Sequence, residues 1–102
     1  MTNELKNEVI KLNSLIDSLV ELSNIDIFKD FEDLDLKSIV DEVLSNLKTA
    51  IKNKKITVNT KIKENISIKA NKNYFYIFLS NIIGNAIKYN KKEGSIDIIY
   101  KS

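Results

Sequence analysis

The chain has 102 residues, 43% hydrophobic and 29% charged, which allows one small folded domain with a helical extension and excludes two full domains. It contains no cysteine and no histidine, so disulfides, thiol nucleophiles, serine–histidine triads and zinc sites built on those residues are excluded. All 16 basic residues are lysine, and the net charge of +2 hides an uneven split, −6 over residues 1–50 and +8 over residues 51–102. Such an asymmetry favours an anionic ligand for the second half, with a solubilising lysine surface as the plainer reading. The longest apolar run, Tyr74 to Leu79, falls far short of the roughly 20 residues that span a bilayer, so no membrane segment is expected. Met1-Thr2-Asn3-Glu4 has neither the basic nor the apolar region of a signal peptide.

In chain order, Leu5, Val9, Leu12, Ile16 and Leu19 are spaced 4-3-4-3, as at the a and d positions of a heptad. This spacing predicts one helix over residues 4–22. Ile10, Leu15 and Leu22 widen its apolar stripe beyond what one neighbour covers. An exposed stripe of this kind predicts a homodimer or higher oligomer through that helix, which Leu12→Asp or Ile16→Asp would dissociate. Residues 25–35 read as a linker docking through Ile27, Phe28 and Phe31. Asp35 is placed to cap a second helix carrying Leu36, Ile39, Val40, Val43, Leu44, Leu47 and Ile51. The period then falls to two. Ile56, Val58, Thr60 and Ile62 alternate with polar residues as a strand, Glu64-Asn65 turns, and Ile66, Ile68 and Ala70 form a second strand. Asn71 can cap a long helix to about Tyr89, and after the turn Lys91-Lys92-Glu93-Gly94 a third strand carries Ile96, Ile98 and Tyr100. The predicted class is α+β, in the order α-α-β-β-α-β.

Function is expected on the third helix. With Phe75 at zero and about 100° per residue, Phe78, Leu79, Ile82, Ala86 and Tyr89 form a core stripe. Asn81, Asn85 and Lys88 then share one arc at about 220–280°. Asn is a poor helix former, so two of them four residues apart imply either solvent or a ligand.

The run Asn81-Ile82-Ile83-Gly84-Asn85-Ala86-Ile87-Lys88-Tyr89 resembles the asparagine box of bacterial two-component sensor histidine kinases, N-x-x-x-N-A-x-K-[YF]. Lys11 to Ser23 is similar to the second helix of that family's dimerisation and phosphotransfer hairpin. Phe31 to Leu36 resembles the start of its ATP-binding domain. Lys54-Lys55-Ile56, Ile68-Lys69-Ala70-Asn71 and Gly94-Ser95-Ile96-Asp97-Ile98 match in order and spacing. The resemblance implies a hairpin helix over residues 1–24, a linker over 25–35 and the first half of a Bergerat-type α/β sandwich over 36–102.

It also implies a site. Asn85 would ligate Mg²⁺ bridging the phosphates of ATP, Asn81 would contact phosphate or metal-bound water, Lys88 would neutralise phosphate charge, and Tyr89 would pack near ribose or base. Asn81 stands where related ATPases carry a glutamate base, and an amide cannot take a proton, so phosphoryl transfer is favoured over hydrolysis. The family's phosphoacceptor histidine is absent, and with only Gly84 and Gly94 present so are its glycine boxes. The chain therefore reads as a piece of a kinase, beginning within the hairpin and stopping about halfway through the ATP-binding domain. Catalysis by the piece alone and tight binding of ATP or Mg²⁺ to it are not expected. The parent would be cytoplasmic or anchored in the inner membrane, and would pass phosphate from histidine to a response regulator. The alternative is a helical dimerisation module with no nucleotide function. Nucleic-acid binding is disfavoured, because no arginine or aromatic residue alternates with Lys52, Lys54, Lys55, Lys61, Lys63, Lys69 and Lys72.

Overall fold

The computed structural model describes residues 7–21 and 32–101. Its elements are β1 (Asn7–Lys11), α1 (Leu12–Glu21), β2 (Glu32–Asp35), α2 (Leu36–Asn46), α3 (Lys48–Lys54), β3 (Thr57–Lys61), β4 (Ser67–Ala70), α4 (Lys72–Lys88) and β5 (Ser95–Ile99). They form a mixed α+β domain. One sheet has the order β1-β5-β3, with both pairings parallel, and Ser95 sits opposite Asn7 on one side and Thr57 on the other. β2 and β4 form a separate antiparallel pair in which Leu34 faces Ile68.

The C-terminal two thirds follow the sequence pattern closely. Asn71 caps α4, its Oδ1 accepting from the backbone N–H groups of Asn73 (3.0 Å) and Tyr74 (3.3 Å). Asp35 occupies the N-cap position of α2 in extended conformation, with no side-chain capping bond. The predicted second helix is divided at Leu47, whose ψ of 8° separates α2 from α3. In β5, Ile96 and Ile98 alternate with half-buried neighbours and are fully buried. They share one core with Leu36, Val40 and Val43 of α2 and Phe75, Leu79 and Ile83 of α4.

The first segment departs from expectation. Residues 7–11 are not helical but form β1, laid parallel along β5, so the order does not begin α-α. Val9 and Ile10 are β-branched and suit an extended strand. Pairing here also satisfies backbone groups of β5 that would otherwise lie at an open edge. Two side-chain links fasten the segment. Ser95 Oγ donates to Asn7 Oδ1 at 2.8 Å, and the Lys101 N–H donates to Asn13 Oδ1 at 2.7 Å.

This breaks the heptad seam. Val9 lies on a strand and is 44% exposed, while Leu12 at the start of α1 is completely buried in the core. Ile16 is half-buried against that core, and Leu5 and the side chain of Leu19 lie outside the described residues. Val9, Leu12 and Ile16 therefore do not lie on one continuous helical stripe, and Leu12→Asp would strike the core rather than a subunit seam. Residues 32–35, expected within the linker, form β2, and the rest of that linker, including Ile27, Phe28 and Phe31, lies outside the described residues.

Candidate functional site

The buried face of α4 is rotated from the predicted one. Phe75, Leu79, Ile83 and Ile87 are buried, at i, i+4 steps, while Phe78, Ile82 and Ala86 are half-buried and Tyr89 is 66% exposed. On the helical wheel the buried residues run from 0° to about 120°, centred near 60°. Asn81, Asn85 and Lys88, centred near about 250°, therefore lie opposite the core rather than beside it. All three are exposed. Among the described residues, nothing in the packing accounts for two carboxamides at these positions.

One flank of this face opens on a groove. A cavity of about 460 Å³ lies between β1–α1 and α4, and Asn85 and Tyr89 line it together with Val9, Leu15, Ile82 and Ala86. Its volume is within the range of small-molecule sites, and its walls are mostly apolar. Asn81 and Lys88 are not among its lining residues. The Lys88 ammonium instead lies 5.3 Å from the centroid of the Tyr89 ring, within cation–π range. The structure thus sets Asn85 and Tyr89 along the same wall of the groove and brings Lys88 to the Tyr89 ring, with Asn81 one turn before Asn85.

Among the described residues no group of three or more acidic side chains is placed to hold a metal ion. A hard cation here would take its oxygen ligands from Asn85 together with a bound anion or water. An anion carrying its own cation fits this donor set.

Sequence reasoning missed the groove because its far wall, β1–α1, was read as a continuous helix. The β-branched pair Val9-Ile10 is the one local hint of a strand there, and it does not by itself decide between strand and helix. Gly84 lies between the two asparagines, and a Cβ there would meet nothing within 4 Å. Its φ is negative. Gly84→Ala is expected to stabilise the chain by about 1 kcal/mol, through helix propensity alone, as a rise in the urea midpoint.

No protein-family model matches the chain. It is 27% identical over 92 residues to an uncharacterized sensor-like histidine kinase, ycf26, of Pyropia yezoensis, covering 87% of this chain and 14% of that protein. It is 28% identical over 94 residues to the sensor-like histidine kinase SenX3 of Mycobacterium tuberculosis, covering 89% of this chain and 23% of the relative. The chain thus spans less than a quarter of the length of these curated relatives. Among solved structures, the cytoplasmic segment of the histidine kinase QseC superposes with a TM-score of 0.66 at 18% identity, over 86% of this chain and 61% of that one. No helix among the described residues is long and apolar enough to cross a membrane. The chain is thus similar in sequence to sensor-like histidine kinases, and its α+β fold is that of the cytoplasmic segment of one.

Proposed function

We propose that the exposed asparagine face of α4 is part of the ATP site of a cytoplasmic sensor histidine kinase in a two-component system. The observation that carries this is the placement of Asn81, Asn85 and Lys88 opposite the core, with Asn85 and Tyr89 on an apolar groove. Residues 36–102 are the first half of the nucleotide-binding domain in this reading.

Bound Mg-ATP supplies the transferable phosphoryl group and the divalent charge that neutralises it. The chain's own residues bind and orient. The Asn85 amide oxygen is a hard ligand suited to Mg²⁺, and the Lys88 ammonium balances phosphate charge. Tyr89 offers an exposed aromatic face at the groove mouth for ribose or base. The Asn81 amide donates and accepts hydrogen bonds but has no atom basic enough to take a proton from water, so it leaves water unactivated and favours transfer to an acceptor residue. With no histidine of its own, the chain presents no phosphoacceptor. Self-association of the parent and phosphotransfer to a response regulator belong to the same reading.

Calorimetric titration of the kinase containing this segment with Mg-ATP tests the proposal. Asn85→Ala and Lys88→Ala should each raise Kd by about tenfold or more, the scale expected for losing a charge-assisted contact. Unchanged affinity in both variants would remove the asparagine face from the nucleotide site. On the same reading, the 102-residue chain alone is expected to show no thermal shift with millimolar Mg-ATP.

A further inference from the structure

Lys54, the last residue of α3, belongs to no part of the asparagine pattern. Its ammonium nevertheless reaches across to the end of α4 and donates to three backbone carbonyls, those of Ile87 (3.0 Å), Lys88 (2.5 Å) and Asn90 (2.7 Å). An ammonium has three donors, and all three are used here. The last carbonyls of a helix lack helical partners and carry the negative end of its dipole, so a cation is well placed among them.

The origin of this side chain is itself held firmly. Behind it, α3 closes through Lys55 in left-handed conformation (φ 55°), with the Lys55 N–H donating to Lys52 O at 3.1 Å and the Ile56 N–H to Ile51 O at 3.0 Å. The Lys54 carbonyl accepts from the Glu93 N–H at 2.7 Å, tying the same residue to the turn that follows α4. That turn is stitched further by Asn90, which is 5% exposed: its Nδ2 donates to Ser95 O at 3.1 Å and its Oδ1 accepts from the Lys91 N–H at 2.7 Å. The three carbonyls bracket Lys88 and Tyr89. The Tyr89 N–H in turn donates to the carbonyl of Asn85 at 3.0 Å.

We infer that Lys54 is a positioning residue for the asparagine face, its ammonium gathering the carbonyls of Ile87, Lys88 and Asn90 so that the last turn of α4 holds Asn85, Lys88 and Tyr89 in fixed relation. This inference rests on the kinase reading of that face. A cation that only stabilised the helix end would raise the melting temperature without affecting nucleotide handling. A positioning cation acts on both.

Lys54→Met keeps an unbranched side chain one atom shorter and removes its charge and donors, and Lys54→Arg restores the charge with a planar set of donors. In the 102-residue chain, Lys54→Met should speed amide exchange at Tyr89 and Asn90 by about tenfold or more while leaving Phe75 to Ile83 unchanged, and Lys54→Arg should recover most of that protection. In the full-length kinase, Lys54→Met should raise KM for Mg-ATP by about tenfold with kcat reduced less, and the arginine variant should again recover most of it. Asn85→Ala assayed in parallel identifies which claim fails. If Asn85→Ala abolishes activity and Lys54→Met leaves KM unchanged, Lys54 is structural only and the inference is overturned. If Asn85→Ala is fully active, the kinase reading fails and the inference falls with it. Uniform acceleration of exchange along all of α4 would also overturn it, since the effect would then be global.

Discussion

Ile83→Asp should abolish cooperative folding of this chain. Ile83 is completely buried on the face of α4 that shares a core with Ile96, Ile98, Val40 and Val43. Aspartate there loses an aliphatic side chain and gains a carboxylate with no partner, a combination expected to cost about 4 kcal/mol or more. Total stability for a domain of this size is on the order of 5–10 kcal/mol, so most of the margin disappears. Urea unfolding followed by circular dichroism should show a broadened or absent transition. A sharp transition near the wild-type midpoint would show that this face of α4 is not the core. Ala86→Asp supplies the contrast. The sequence pattern put Ala86 in the core stripe, where aspartate would unfold the domain, but Ala86 is half-buried on the wall of an open groove. A carboxylate there reaches water, and the expected cost is about 1 kcal/mol, mostly helix propensity.

The difference between those two residues shows what the sequence could carry. Periodicity located α4, the cap at Asn71 and the alternation of β5 because each depends on neighbours within a few residues. The rotation of α4 is set by what packs on it. Its apolar positions, Phe75, Phe78, Leu79, Ile82, Ile83, Ala86 and Ile87, extend too far around the helix for spacing to select one face. The buried row at i, i+4 steps was chosen by the core it shares with α2 and β5.

β1 was illegible for a stronger reason. Asn7–Lys11 pairs with a strand 88 positions away, and the decision between helix and strand for Val9-Ile10 rests on that distant edge. β2 was missed because its sequence, Glu32-Asp33-Leu34-Asp35, has almost no strand propensity and is held by pairing with β4. The polar arc survived these errors. Asn81, Asn85 and Lys88 lie within about 60° of one another whichever face is buried, so their grouping followed from sequence while their position opposite the core did not.

The kinase reading depends most on Asn85. Its side chain is exposed on the groove, and its removal leaves the core untouched, so a change in activity cannot be charged to misfolding. In that reading, losing the amide oxygen would remove one ligand for a divalent cation that would stabilise developing charge on the phosphates. Stabilisation of this kind is commonly worth ~3 kcal/mol, or ~100-fold in rate. The decisive measurement is the autophosphorylation rate of the full-length kinase carrying Asn85→Ala, with its thermal melt recorded alongside. The expected result is a rate lowered by about 100-fold or more and a melting temperature within about 2 °C of wild type, as for an exposed position. Wild-type activity with an unchanged melt would contradict the account, making the asparagine pair ordinary solvated surface.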